Sequence, residues 1–136
     1  MKYAAFDIGD VWTGVALSDP MGIIAKPYQT IQTKHLFSTL PALFEKEKIE
    51  SVIIGYPKTM RGTESEQTKK IIEYKERLEK EFTHMQWILW DERLSSKRAA
   101  SLKQARTKEE KQQSHAIAAA FILESYLNYC FLQKNS

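Results

Sequence analysis

The chain of 136 residues contains a single cysteine, Cys130, so an internal disulfide is excluded. A chain without disulfides is typical of a reducing compartment, and we expect a cytoplasmic protein. We expect no apolar run as long as the roughly 18–20 residues that cross a bilayer. The first acid follows the N-terminus too closely for a secretory signal. These absences predict a protein without a membrane partner.

The sequence also lacks a strong excess of charge, a linker, a repeat and a low-complexity segment. Its 20 Lys and Arg residues against 17 Asp and Glu residues give a formal net charge of +3. This balance permits a nucleic-acid partner without establishing one. The length suffices for one hydrophobic core, so we predict one domain over residues 1–136.

Apolar patterning and turn residues predict an α/β fold. The first three strands are joined by short connections, which indicates an antiparallel meander. Strands then alternate with helices, which indicates parallel pairing beside the meander. Pro41 is compatible with a helix only in the first turn. The predicted strands are 2–8, 14–19, 22–31, 51–57 and 85–90, and the predicted helices are 38–48, 63–81, 96–105 and 107–131.

Acidic residues stand where two of these strands end. Asp7 lies at the end of the first strand, and Asp91 and Glu92 follow the last one. The carboxyl ends of parallel strands share one edge of a sheet, where sites of open α/β proteins form. Carboxylates there would hold Mg²⁺ or Mn²⁺ for phosphodiester hydrolysis. Taken singly, Asp7 also fits a cap on a turn, and Asp91 and Glu92 fit caps on a helix. The basic residues expected to face substrate phosphates are Lys58, Arg93, Lys97 and Arg98.

Four motifs in order resemble the YqgF (RuvX) family. They are FDIGDVWTGVALSD at 6–19, IIGYPKTMRGTESEQ at 53–67, WDERLSS at 90–96 and SHAIAAAFILESYL at 114–127. Members of this family are RNase H-like proteins, described as Holliday junction resolvases and as nucleases that mature the 5′ end of 16S rRNA. The resemblance covers nearly the whole chain.

This resemblance implies an RNase H-like fold, in which helices flank a mixed five-stranded sheet with a three-stranded antiparallel meander. It also implies a divalent-metal site built from three of the motifs. Asp7 matches the first acid and Glu92 the second, with Asp91 beside it. His115 stands where the family has its third acid. The implied catalytic residues are Asp7, Glu92 and His115, and the implied metal ligands are these three and Asp91.

The sequence departs from the family pattern at two places. A neutral His115 adds no negative charge, and imidazole suits Mn²⁺ better than Mg²⁺. His115 is therefore a ligand or proton shuttle, or its role passes to Asp10, Asp91 or Glu110, or the site is weak or inactive. Val11 and Trp12 replace the family's Lys-Arg pair. Trp12 either stacks on an unpaired base or packs in a core or an interface.

We therefore predict a metal-dependent nuclease that acts on structured RNA, with the 5′ end of pre-16S rRNA as the favoured substrate, or on branched DNA. A catalytically weak or inactive nucleic-acid-binding module is the alternative. A sugar-kinase or actin-like ATPase shares a similar first motif, but it needs two domains to close on ATP. We expect a monomer or a weak homodimer.

Overall fold

A computed structural model describes residues 1–56, 66–91 and 108–134, with side chains from residue 113 onward in the last range. The strands are β1 (Tyr3–Ile8), β2 (Trp12–Ser18), β3 (Ala25–Gln32), β4 (Ser51–Tyr56) and β5 (Gln86–Asp91). The helices are α1 (Leu36–Glu47), preceded by a 3-10 turn (Thr33–His35), α2 (Glu66–Glu81) and α3 (Lys108–Lys134). The helix predicted at 96–105 lies outside these residues.

The five strands form one mixed sheet in the order β3-β2-β1-β4-β5. Strands β1 to β3 are the predicted antiparallel meander, and β1, β4 and β5 are parallel. The carboxyl ends of β1, β4 and β5 therefore share one edge, and β1 lies in the centre of the sheet. This arrangement confirms the predicted fold class.

Alternation of side chains divides the core into two layers. One face of β1 carries Phe6 and Ile8, which pack with α1 and α2. The other face carries Ala5, which packs with Ala16 of β2 and with α3. The small side chains on the second face let α3 lie close to the sheet. The buried residues of α3 are Ala116, Ala119, Ala120, Ile122, Leu123 and Leu127.

Two local predictions were wrong. Residues 22–24 lie in the turn before β3 and not in the strand, because the Asp19 carboxylate accepts hydrogen bonds from backbone N–H groups of that turn. Pro41 is the sixth residue of α1 and not in its first turn. The helix continues past it because the Pro41 ring is exposed while Leu40 and Phe44 are buried, and packing outweighs local propensity.

The expectation about apolar runs also needs correction. Gln113–Lys134 of α3 is long and apolar enough to cross a membrane by length and composition alone. A core helix of a folded domain passes the same test. In this fold one side of α3 packs on the sheet, and Ala119 and Leu123 on that side are fully buried.

Candidate active site

Asp7 is the penultimate residue of the central strand, and its side chain lies on the α3 face of the sheet. Its position follows from alternation, because Ala5, two residues earlier, packs against α3. Asp7 is half-buried and lies directly opposite Gly14 of β2. Residues opposite each other in an antiparallel pair point to the same face. Asp7 and Gly14 therefore face α3 together.

Gly14 is the point at which α3 touches the sheet beside Asp7. A Cβ atom at Gly14 would overlap the backbone carbonyl of His115 and would lie 2.7 Å from the Ala116 nitrogen. Only a residue without a side chain permits this approach. The sequence analysis began this strand at Gly14, whereas β2 begins at Trp12, so Gly14 lies inside the strand. Its role is to bring His115, which is half-buried, next to the cross-strand neighbour of Asp7.

Trp12 opens β2 on the same face as Gly14, two residues away. It is half-buried, and it lies diagonally across the strand pair from Asp7, a relation that places Cα atoms about 7–8 Å apart. The structure thus places Trp12 on the sheet face that carries Asp7 and packs against α3.

The turn between β1 and β2 is fixed by Thr33. The Gly9 N–H donates to the Trp12 carbonyl at 2.9 Å, which closes the turn. The Thr33 hydroxyl donates to the Gly9 carbonyl at 2.7 Å, and its N–H donates to the Val11 carbonyl at 2.8 Å. Thr33 also pairs with the buried Thr13 hydroxyl at 2.9 Å. No sequence motif pointed to Thr33, because its partners come from a different hairpin.

Asp91 lies on a different face of the sheet from Asp7. It is the last residue of β5 and pairs with Tyr56 of β4. Trp87 lies four residues before Asp91, so both side chains point to the same face of the sheet, and Trp87 packs in the α1 and α2 layer. Trp90 points to the other face and packs in the α3 layer. Asp91 therefore lies on the face opposite to Asp7, contrary to the expectation that both bind one metal.

Four other predicted site residues, Lys58, Glu92, Arg93 and Arg98, lie outside the described residues, as does Lys97. Within residues 1–56, 66–91 and 108–134, no group of three or more His, Cys, Asp and Glu residues is arranged to hold a metal ion. The described site candidates on the α3 side of the sheet are thus Asp7, Trp12 and His115, and the α3 backbone at His115 meets the sheet at Gly14.

A cavity of about 540 Å³ lies between β3 and α3, and its lining includes Ala116, the residue after His115. Thr30 on its wall lies opposite Gly14, and Gln113 precedes His115 by two residues. The lining carries amide and hydroxyl groups. Tyr28 also borders the cavity, but its side chain bonds to Glu47 of α1, so the ring is turned to the other face. The sequence did not predict this cavity, because its two walls are about 85 residues apart.

The sheet order, the two helical layers and the acid on the central strand define an RNase H-like protein. The fold matches Thermus thermophilus RuvC, solved in complex with a Holliday junction substrate, with a TM-score of 0.65 over 97% of this chain and 96% of that one. A second structure of T. thermophilus RuvC matches with a TM-score of 0.57. At 14% and 12% identity, these matches show a common fold.

Residues 1–129 match the RuvX family, described as Holliday junction resolvase. The chain belongs to this family. It is 34% identical to a protein of Rubrobacter xylanophilus over 93% of this chain and 91% of the relative, and 38% identical to one of Fusobacterium nucleatum over 93% and 96%. Both relatives are named "Putative pre-16S rRNA nuclease". The family and the class of enzyme, a nuclease, agree with the sequence prediction.

Proposed function

We propose that this protein is a divalent-metal-dependent nuclease that hydrolyses phosphodiester bonds of precursor 16S rRNA at its 5′ end. The observation that carries the proposal is the contact of the α3 backbone at His115 with Gly14, the residue that lies opposite Asp7 near the carboxyl edge of the central strand. The names of the relatives support the substrate. The lone Cys130 and this substrate assign the activity to the cytoplasm.

The donor atoms at this place suit a divalent ion of intermediate hardness. Asp7 offers a carboxylate and His115 an imidazole, and imidazole favours Mn²⁺ over Mg²⁺. We assign Glu92, the residue after Asp91, as the second carboxylate, on the strength of the sequence motif. When bound, the metal supplies an activated water and stabilises the leaving oxygen. Asp91 is not part of this proposed set, because it lies on the opposite face.

The other residues of the site act on the nucleic acid. Trp12 provides an aromatic surface on which an unpaired base stacks, a contact worth about 1–3 kcal/mol. Lys58, Arg93 and Arg98 pair with backbone phosphates, which position the strand without reading its sequence. The cavity beside Thr30 and Gln113 offers neutral hydrogen-bonding groups to the strand that leaves the site.

RNA is favoured over branched DNA because the chain is small and only weakly basic. A four-way junction requires a broad cationic surface, and the net charge is +3. A single cut in structured RNA requires one site. Cleavage of a synthetic four-way junction in preference to precursor rRNA would contradict this assignment.

The test compares precursor rRNA and a four-way junction under Mg²⁺ and under Mn²⁺. We expect weak cleavage of the RNA by the wild type and faster cleavage with Mn²⁺. Glu92→Gln should abolish cleavage, and His115→Asp should increase it with Mg²⁺, because the third negative charge returns. Ser38→Ala, on the exposed side of α1, is the matched control and should cleave like the wild type.

Metal titration separates the nuclease from a binding module. Asp7→Asn should weaken Mn²⁺ binding, because it removes a charged ligand at the centre of the site. Unchanged Mn²⁺ affinity in Asp7→Asn, or cleavage that survives Glu92→Gln, would refute the assigned site. RNA binding without cleavage under either ion would support the non-catalytic alternative.

A further inference from the structure

Aromatic and cationic side chains form a strip along the seam between α1 and α2. Phe37 and Tyr74 stack there, with ring centroids 6.3 Å apart and an interplanar angle of 25°. Both rings pack against the α1 and α2 layer of the core, on the sheet face opposite to Asp7. The cationic strip, as we call it, consists of Lys34, Phe37, Lys70, Tyr74 and Arg77.

The guanidinium of Arg77 forms the outer layer of the aromatic stack. It lies 4.5 Å from the Phe37 centroid and 5.6 Å from the Tyr74 centroid. Arg77 is exposed, whereas the two rings are half-buried. A guanidinium that stacks on an aromatic face is held in orientation, and its planar fork of N–H donors matches the geometry of a phosphate. Among the residues that the structure describes, Arg77 forms no ion pair, so no carboxylate there neutralises it.

Lys70 connects the cationic strip to the turn that follows Asp7. It lies seven residues before Arg77, which is about 10 Å along the axis of α2. Its ammonium group lies 3.5 Å from the carboxylate of Asp10, in the turn between β1 and β2. Both side chains are exposed, at 61% for Lys70 and 79% for Asp10. An exposed ion pair contributes little to stability, so Lys70 can exchange this carboxylate for a phosphate at small cost.

Lys34 adds a third cation beside the same turn. It is exposed and follows Thr33, whose backbone N–H donates to the Val11 carbonyl at 2.8 Å. The acids beside the strip are Asp10 and Glu73, so its three cations are in excess. This excess of positive charge fits an anionic partner.

We propose that the cationic strip binds the phosphate backbone of a base-paired stem in the substrate RNA, outside the cleavage site. This inference rests on the proposed nuclease function. A stem is favoured over a single strand because Arg77 covers the Phe37 ring, and no base can stack on that side. A stem stacks its own bases and is recognised mainly by its shape and its phosphates. Phosphate contacts position a nucleic acid without reading its sequence.

The cationic strip and the candidate site lie on two sides of one turn. Asp10, the partner of Lys70, follows Asp7 by three residues. Asp7 faces α3, whereas the rings of the strip belong to the other layer. RNA held by the strip therefore continues around the carboxyl edge of the sheet to reach Asp7 and Trp12. The strip binds the stem, and Trp12 stacks on the adjoining unpaired strand.

The test is RNA binding in EDTA, which separates binding from metal-dependent cleavage. An RNA stem of about 16 base pairs and unstructured oligouridine, both fluorescein-labelled, are titrated by anisotropy from about 50 to 200 mM salt. Lys70→Gln and Arg77→Gln should each weaken stem binding about three- to tenfold and reduce the salt slope by about one. Oligouridine binding should change less than about twofold, because the strip is not its site.

Two further variants test how the strip works. Arg77→Lys keeps the charge but loses the planar fork, so stem binding should fall, though less than in Arg77→Gln. Asp10→Asn removes the acid that pairs with Lys70 and should tighten stem binding about two- to fivefold. Glu45→Gln, which removes an exposed acid of α1 away from the strip, is the control and should bind like the wild type.

Lys46→Gln is the control for the loss of a cation. Lys46 is exposed in the last turn of α1, nine residues or about 13 Å along the helix from Phe37. This variant should bind the stem like the wild type. All the substituted side chains are exposed, so thermal melting of every variant should match the wild type.

Three results would overturn the proposal. The first is stem binding that is unchanged in both Lys70→Gln and Arg77→Gln, and the second is an equal loss in Lys46→Gln. The third is binding of labelled polyglutamate with the same dependence on Arg77, which would assign the strip to an acidic protein surface.

Cleavage is measured separately from stem binding. A protein that binds the stem through the strip but cleaves under neither Mg²⁺ nor Mn²⁺ would support the strip and refute the nuclease assignment. Cleavage together with a stem affinity that does not depend on Lys70 and Arg77 would do the reverse.

Discussion

Substituting Gly14 by alanine tests the contact on which the candidate site depends. The added methyl group would overlap the His115 carbonyl and lie 2.7 Å from the Ala116 nitrogen, and both are backbone atoms that cannot turn aside. Helix α3 must then move by about 1 Å or the strand must bend, and overpacking of this kind costs about 1–3 kcal/mol. Urea denaturation followed by circular dichroism measures that loss.

The same substitution should affect the chemistry more than the stability. A displacement of about 1 Å at a catalytic group costs up to about a hundredfold in rate. We therefore expect weaker Mn²⁺ binding and RNA cleavage reduced about a hundredfold in Gly14→Ala. Ala42→Ser, exposed on α1, is the control and should change stability by less than about 0.5 kcal/mol.

Two results would refute this reasoning. If Gly14→Ala unfolds within about 0.5 kcal/mol of the wild type, α3 does not rest on β2 at this residue. If stability falls but Mn²⁺ affinity and cleavage are unchanged, the packing is correct but His115 is not part of the site.

Three further predictions concern the turns and the substrate surface. Thr33→Val should lower the free energy of unfolding by about 1–3 kcal/mol in urea denaturation, because it leaves the buried Thr13 hydroxyl and the Gly9 carbonyl without this partner. Thr39→Val, which removes an exposed hydrogen bond to the His35 carbonyl, is the comparison, and an equal loss there would contradict the role of Thr33. The backbone N–H groups of Ile24, Ile23 and Met21 hold the pKa of Asp19 below its usual range, so the stability it contributes is present above the ordinary aspartate pKa and is lost as pH falls through the lower, folded pKa. Asp19→Asn should remove that part of the acid dependence in melts between about pH 2 and 6, and an unchanged profile would refute the assignment. Trp12→Ala should weaken binding of single-stranded RNA by about 1–3 kcal/mol in a fluorescence titration, whereas Trp12→Phe should retain most of it; equal losses in both would argue against stacking.

Much of the fold followed from local physics. Apolar runs bounded by glycine and proline predicted all five strands, and charged amphipathic patterning predicted α1 and α2 to within a few residues. The errors arose where a side-chain hydrogen bond or the burial of neighbouring side chains overrides the local pattern. The Asp19 carboxylate turns residues 19–24 away from strand geometry, and burial of Leu40 and Phe44 carries α1 past Pro41.

The sequence by itself determined the types of residue available for the site. Asp7 near the end of a strand, His115 in the alanine-rich final helix and four ordered motifs were sufficient for the family and the enzyme class. Each of these features lies within a short segment of the chain, so it can be recognised from the local sequence alone.

Only the tertiary structure decided which of these groups meet. Strand alternation puts Asp7 on the α3 face and Asp91 on the other, although both end strands at the same edge of the sheet. The missing side chain of Gly14 lets the α3 backbone at His115 contact the strand residue opposite Asp7. Thr33, which follows β3, fixes the turn that joins β1 to β2. The physical reason is that faces and contacts depend on register and packing between segments far apart in the chain.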